Sequence, residues 1–327
     1  MDLFKGFTIL DERDNWHGPS LEVARRRGYS TSRITRGYEA KLKGSCGLGF
    51  IRPHAVPVIL ERNHLDYLEM AEVLTMVQDF NQIEVYDDKS AQFWRWAKWM
   101  PKTWRYDNRE NAFEFARSFP VSGSCIVSKA DVGASSKNVR LLRTRKDLID
   151  HIRMAFGKGI EVDHCAGGGP SGQRSISRQK GYVLLQEFIP HRITWRVNAI
   201  GRGRAGFMRY CGKAGTAETG NVEPVMGLDD PIAAAVFDFA EKVFAELNTK
   251  WCALDILYDY SAARPYLLET SVGWPWPSPG RCMEAPFFGN ISQPRSWDEM
   301  WDLMFDEYEA GVWTEEHSAP STMCASH

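Results

Sequence analysis

The sequence predicts a multi-unit α/β (α+β) protein. Short apolar runs alternate with amphipathic helical stretches up to about Asp87, the pattern of a small α/β domain. Beyond it, β-like runs come in adjacent pairs separated by longer helices. The clearest pair is Trp251–Ser271, WCALDILYDYSAARPYLLETS, which reads as two strands around a tight loop. At 327 residues the chain is long enough for two or three compact units.

In the first unit, Phe7–Leu10 is a strand and Leu21–Gly28 a helix with Gly28 as its stop. Gly49–Arg52 and Val56–Leu60 are β-like, His64–Val77 has helical spacing, and Ile83–Tyr86 reads as a short strand. Gly47-Leu48-Gly49 lacks the third glycine of a dinucleotide motif. Lys89–Trp99 predicts a helix that stops at Met100-Pro101, with Phe93, Trp96 and Ala97 on its apolar face. Asn111–Ser118 is a short helix, Phe119–Ser128 contains a strand ending at Lys129, Val139–Leu142 is a strand, and Lys146–Phe156 is a helix.

Gly157–Gly181, rich in Gly, Ser and Arg, reads as a mobile loop and carries no Walker closure. Strands follow at Tyr182–Phe188, Ile193–Ile200 and Arg204–Cys211. Pro231–Leu247 is an amphipathic helix. After the hairpin come a Trp/Pro loop at Val272–Gly280 and a final helix over Trp297–Trp313, with a disordered tail from Thr314. Trp274 and Trp276 in that loop make an aromatic wall suited either to stacking on a planar group or to packing.

Net charge is −2 with 25% charged and 43% hydrophobic residues, so no global electrostatic argument for nucleic acid exists. The seven cysteines form no CxxC pair, which argues against a disulfide framework or structural zinc and suits a reducing, cytoplasmic compartment. No secretory signal or membrane-length apolar run is expected.

Four features carry chemistry. In the hairpin, a three-residue loop at Ser261–Ala263 would set Asp255 opposite Glu269. One face would then hold Cys252, Leu254, Ile256, Tyr258, Tyr266 and Leu268. The other would hold Asp255, Asp259, Glu269 and Ser271. Facing carboxylates repel and call for a cation, a shared proton or solvent; with hard oxygen ligands the cation would be Mg²⁺. Lys129 precedes the turn Gly133-Ala134-Ser135-Ser136, whose backbone and hydroxyls could cradle phosphate. The strand end Gln186-Glu187-Phe188-Ile189 could form a purine hinge, and Arg196 and Arg209 on consecutive strands could clamp an anion. Taken singly, each also fits a bland reading as turn, strand end or surface pair.

The ordered set resembles the ATP-grasp superfamily, in its carboxylate–amine ligase branch, which includes ribosomal-protein glutamate ligases and D-alanine–D-alanine ligase-type enzymes. The residues that carry the resemblance are DDK (Asp87–Lys89) with MPKTW, IVSKADVGASSKNVRLL, VLLQEFI, TWRVNAIG, FMRYC and LDILYDYSAARPYLLETS. It implies two α+β subdomains clasping ATP, preceded by a small α/β pre-ATP-grasp domain. The expected boundaries are 1–88, 89–188, 189–313 and a tail at 314–327.

The resemblance assigns Lys89 and Lys129 to the phosphates and adenine region. Gly133, Ser135 and Ser136 fall in a flexible loop over the phosphates, and Gln186, Glu187 and Ile189 at the adenine and ribose. Asp255 and Glu269 would hold two Mg²⁺ ions (or Mn²⁺), with Glu269 bridging. Arg209 would meet the γ-phosphate or acyl phosphate, and Arg196 would orient the substrate. Two departures stand out. Ser271 occupies the position where the family has Asn, with Asn221 as a conjectured substitute, and Ala130 follows Lys129 where proline is common. The implied activity is ATP-dependent joining of a small-molecule or peptide carboxylate to an amine. A kinase on the same fold and a non-catalytic nucleotide-binding protein are the alternatives. A nucleic-acid substrate has no support from net charge, and no membrane partner is expected.

Overall fold

The computed structural model describes residues 6–10, 18–34, 47–51, 65–86, 88–120, 125–132, 138–163, 176–191, 193–200, 204–211, 222–224, 231–247, 249–271, 284–289 and 294–311. The predicted strand at Val56–Leu60, the Val272–Gly280 loop and the tail lie outside them.

The first unit is a parallel sheet of β1 (Gly6–Leu10), β2 (Ser30–Ile34), β3 (Leu48–Ile51) and β4 (Thr75–Met76), in the order β2-β1-β3-β4. Helix α1 (Gly18–Arg26) makes the crossover between β1 and β2 that a parallel pair requires. It ends as its glycine suggests. Gly28 has φ +80°, its N–H bonds to Arg25 O, and Tyr29 N–H bonds to Ala24 O, a left-handed cap that glycine adopts without strain. Gly47 is required for a different reason: at φ +109°, a Cβ would meet Gly6 O at 2.2 Å.

Two expectations are corrected here. The predicted helix His64–Val77 is helical over 65–71 (α2), and Thr75–Met76 instead pairs with Leu48–Gly49. The predicted strand Ile83–Tyr86 falls in a helix, α3 (Phe80–Glu84), which buries Gln82 and Ile83. Short apolar runs do not distinguish strand from helix; packing decided both cases.

The second unit is the antiparallel sheet β5-β10-β6-β7, made of β5 (Thr103–Tyr106), β6 (Ile126–Lys129), β7 (Val139–Leu142) and β10 (Val183–Glu187). Leading into it are α4 (Lys89–Trp96) and a 3₁₀ turn, Ala97–Trp99. Helices α5 (Arg109–Ser118) and α6 (Arg145–Phe156) cover one face, where Ala112, Ala116, Leu148 and Ile152 meet Ile126, Leu142, Val183 and Leu185. Thr144 and Asp147 form a reciprocal capping box at the start of α6. Within the expected loop Gly157–Gly181, β8 (Ile160–Asp163) pairs antiparallel with β9 (Ile176–Gln179). These strands alternate only briefly, and the Gly/Ser composition of the intervening residues masks them.

The third unit is a seven-stranded sheet. Its strands are β11 (Ile193–Ile200), β12 (Arg204–Cys211), β13 (Val222–Pro224), β14 (Trp251–Asp259), β15 (Arg264–Ser271), β16 (Glu284–Gly289) and β17 (Pro294–Ser296), ordered β15-β14-β11-β12-β16-β17 with β13 on β12. Helix α7 (Pro231–Leu247) covers one face, packing Ala233, Val236, Ala240 and Val243 on Trp195, Val197, Cys252, Leu254, Ile256 and Leu267. Helix α8 (Trp297–Glu309) brings Trp301, Met304 and Phe305 into a core shared with Phe7 and Leu48 of the first sheet and Trp251 and Ala253 of β14. Arg27 of the α1 end adds bonds to Asp306 and Glu309 at 2.7 and 2.9 Å.

Candidate functional site

The hairpin β14–β15 does place Asp255 opposite Glu269, by a different route from the one anticipated. Its strands are separated by four residues, 260–263, with Ala263 at φ +49°, and Asp259 pairs with Arg264. That register alone would set Asp255 against Leu268. An extra residue in β15 shifts it: Ile256 pairs with Leu267, then Asp255 with Glu269, leaving Leu268 as the bulge. The faces change accordingly. Leu267, not Tyr266 or Leu268, joins the core under α7. Tyr266 and Leu268 lie with Ile189 and Leu257 in a separate apolar patch. Asp259 is turned to the loop, accepting from Ser261 Oγ at 2.6 Å and from the Ser261 N–H at 2.8 Å.

Arg196 of β11 is the cross-strand partner of Asp255 on its other side. Its Nε and Nη2 donate to Asp255 Oδ1 and Oδ2 at 2.6 and 2.5 Å, a bidentate pair. Lys89, at the first turn of α4, reaches Glu269 Oε2 at 3.9 Å and is itself buried. Lys129, the last residue of β6, donates to Leu268 O at 3.5 Å. Burial pulls its ammonium down to about 8, opposed by Glu269 and assisted by the like charge of Lys89. Burial works against ionisation of Glu269, yet Lys89, Arg196 and Lys129 together hold its carboxyl below the usual range. Burial and the facing Glu269 push Asp255 upward in spite of Arg196. Three cations drawn from three elements thus converge on two partly exposed carboxylates, and the excess positive charge suits a polyanion.

The second sheet supplies the other wall. Its register gives Lys129, Leu184 and Arg105 one parity, shared with Val127, Gln186 and Thr103. Gln186 is buried and donates through Nε2 to Thr103 Oγ1 at 2.9 Å. Ile189 is buried in the patch with Leu257 and Tyr266. Glu187 is exposed and has the opposite parity, that of Leu185 and Ile126. Its N–H bonds to Lys102 O at 2.8 Å. The structure therefore brings Lys89, Lys129, Arg196, Asp255 and Glu269 together, gives Gln186 the strand parity of Lys129, buries Ile189 with Leu257 and Tyr266, and leaves Glu187 exposed.

Arg209 pairs with Trp195 in the ladder, and Trp195 is buried on the α7 side. Arg196 pairs with Met208. In the ladder the two arginines hold positions of opposite parity. Consecutive strands had suggested a shared face; the register of the turn decides parity. Gly133, Ser135, Ser136 and Asn221 lie outside the described residues. Ser271 is half-buried opposite Ala253, two residues along β15 from Glu269.

Sequence reasoning missed several residues. Gln92, not Ala97, lies in the buried stripe of α4 with Lys89 and Trp96; its only signal was helical spacing from Lys89. Asp131 accepts from Lys89 N–H through its carbonyl at 3.0 Å, from Ser90 Oγ at 2.6 Å and from Tyr182 Oη. Leu257, two residues from Asp255 on the same strand and buried with Ile189 and Tyr266, carried no sequence signal beyond its place in an apolar run.

The oxygen donors fit Mg²⁺. Asp255 and Glu269 face each other, and Mg²⁺ is commonly held by one or two carboxylates plus substrate phosphates rather than by a protein cage. Among the described residues no group of three or more His, Cys, Asp or Glu could hold a metal. Asp255 would have to share or release oxygens now bonded to Arg196.

No protein-family model and no curated protein sequence matches the chain. Solved structures do. A RimK-domain ATP-grasp protein from Sphaerobacter thermophilus shares 17% identity at TM-score 0.53, over 81% of this chain and 90% of that one. The D-alanine–D-alanine ligase of Bacillus anthracis in complex with ATP shares 13% at TM-score 0.57, over 95% and 99%. The ATP-grasp ligase PsnB, complexed with a minimal precursor, shares 14% at TM-score 0.56, over 94% and 100%. At these identities the likeness is one of fold. The chain has the ATP-grasp fold.

Proposed function

We propose that this ATP-grasp chain is an ATP-dependent carboxylate–amine ligase, releasing ADP and phosphate. The observation that carries the reading is the convergence of Lys89, Lys129 and Arg196 on the facing pair Asp255 and Glu269. The apolar patch of Ile189, Leu257 and Tyr266 lies alongside.

In this reading a substrate carboxylate oxygen attacks the γ-phosphorus of ATP, the bond to the β–γ bridging oxygen breaks, and acyl phosphate and ADP form. An amine then attacks the acyl carbon and expels phosphate. The protein's work is positioning and charge neutralisation. Lys89 and Lys129 offset phosphate charge from the α4 and β6 sides. Ile189, Leu257 and Leu268 form an apolar floor for the base, and Gln186, held by Thr103, offers a polar edge. Arg196, released in part from Asp255, orients the carboxylate. Asp255, Glu269 and Ser271 would hold two Mg²⁺, or Mn²⁺, which neutralise and align the transferring phosphoryl group. Gly133, Ser135 and Ser136 would cover the phosphates, as the sequence suggests.

An amino acid or peptide is the proposed substrate class, supported by the D-alanine ligase and precursor-bound neighbours. Among the described residues no helix is long and apolar enough to cross a membrane; a cytoplasmic setting is part of the proposal. The test is ADP release in the presence of MgATP and amino-acid or peptide pools, with mass spectrometry for an amide product. Glu269→Gln should release no ADP above background. Normal turnover by that variant would overturn the metal assignment, and a phosphorylated product in place of an amide would overturn the ligase reading.

A further inference from the structure

Helix α4 is hydrogen-bonded to both walls of the cleft. Its first turn is tied to the end of β6: Lys89 N–H bonds to Asp131 O at 3.0 Å and Ser90 Oγ to the Asp131 carboxylate at 2.6 Å. One turn on, Gln92 ties the same helix to β15. Gln92 Nε2 donates to Thr270 O at 3.1 Å, and Gln92 Oε1 accepts from Thr270 N–H at 2.9 Å. The same Nε2 also donates to Val85 O at 3.1 Å. Gln92 is 2% exposed and Thr270 4%.

The chemistry explains why glutamine stands in an otherwise apolar stripe. Strand β15 ends the order of its sheet, so on that side its backbone has no ladder partner among the described strands. A helix that buries such an edge must satisfy the N–H and C=O it covers, because each buried and unpaired would be costly. A primary amide presents a donor and an acceptor as a peptide group does, and Gln92 extends the sheet by one such unit.

The place of that unit matters. Thr270 adjoins Glu269, and Gln92 lies one turn from Lys89, whose ammonium is 3.9 Å from Glu269. We infer that Gln92 is a positioning residue of the site: by fixing α4 against Thr270 it holds Lys89 and Glu269 in the geometry that receives a divalent cation and nucleotide phosphates. The inference rests on the ligase reading for the identity of the ligand.

The experiment is calorimetric titration of the full chain with a non-hydrolysable ATP analogue across a Mg²⁺ series, alongside thermal melts. Gln92→Met keeps length and removes both hydrogen-bonding atoms. It should weaken analogue binding about tenfold, the scale of one or two lost buried hydrogen bonds, and raise the Mg²⁺ concentration for half-saturation, while remaining folded at the assay temperature. Gln92→Asn, which keeps an uncharged amide but is one methylene too short to hold the same bonds to Thr270, is the second variant should Gln92→Met not fold, and should shift the same two quantities. In a double-mutant cycle with Lys89→Met the effects should combine to less than their sum. A lowered melting temperature with unchanged nucleotide and Mg²⁺ affinity, or full additivity with Lys89→Met, would overturn the positioning role and leave the ligase reading standing. Absence of analogue binding by the wild-type chain would overturn both.

Discussion

The two sheets that wall the cleft bury their charges in different ways. The seven-stranded sheet pairs Asp255 internally: Asp255 and Arg196 are ladder partners, joined by two short bonds within one face. In the four-stranded sheet, Lys129 stands at the end of β6 with a carbonyl of the other sheet as acceptor, and its attraction to Glu269 acts across the cleft. One wall is stable as a pair within itself, whereas the other is poised for a partner. Ligand binding should therefore change the environment of Lys129 more than it changes the sheet that carries Arg196.

The largest expected effect breaks the internally paired side. Arg196→Met leaves Asp255 buried without its bidentate partner and should cost roughly 3–5 kcal/mol in chemical denaturation. Adding Asp255→Asn should recover much of that loss. Recovery of nothing would mean that the pair does not act as a unit.

The next effect concerns the opposite face of the small sheet. His151 of α6 is buried and shares a 2.6 Å hydrogen bond with Ser128 of β6. Burial, with help from the charge of Arg140, pulls its imidazolium down to about 4 from an ordinary 6.5. Between those values the unfolded chain takes up a proton that the folded chain refuses. Stability from this group is therefore whole above pH 6.5 and lost as pH falls toward 4, by roughly 3 kcal/mol. Denaturation midpoints measured from pH 7.5 to 4 should show this slope, and His151→Gln should flatten it.

The smallest effect sharpens the poised side. Lys129→Met should weaken binding of an ATP analogue by about 10- to 100-fold, the scale of a charge-assisted hydrogen bond. It should leave the melting temperature unchanged or slightly higher, since the folded state disfavours that charge. A large loss of stability would show that Lys129 holds the sheets together instead.

Much of the fold was legible because periodicity reports directly on burial. Val139–Leu142, Ile193–Ile200, Arg204–Cys211 and Pro231–Leu247 have the bounds read from sequence. The elements that were misread are short or bounded by glycine: 64–77, 83–86 and the β8–β9 pair. There several conformations bury the same few side chains, and tertiary partners choose among them.

The candidate site divides in the same way. Order along the chain was enough to single out Lys89, Lys129, Arg196, Asp255 and Glu269. Their convergence could not be read from order, because it depends on register. The bulge at Leu268, invisible as a sequence signal, is what returns Glu269 to Asp255 after the four-residue turn, and parity is what separates Arg209 from Arg196. By itself the sequence determined which residue types the cleft has to work with and in which elements they lie, since local periodicity and chain order are written residue by residue. Only the tertiary structure decided which of them share a face and which buried polar groups, such as Gln92 and Asp131, hold the walls together. A one-residue shift in strand register reverses every side chain, and hydrogen bonds between distant segments leave no local pattern.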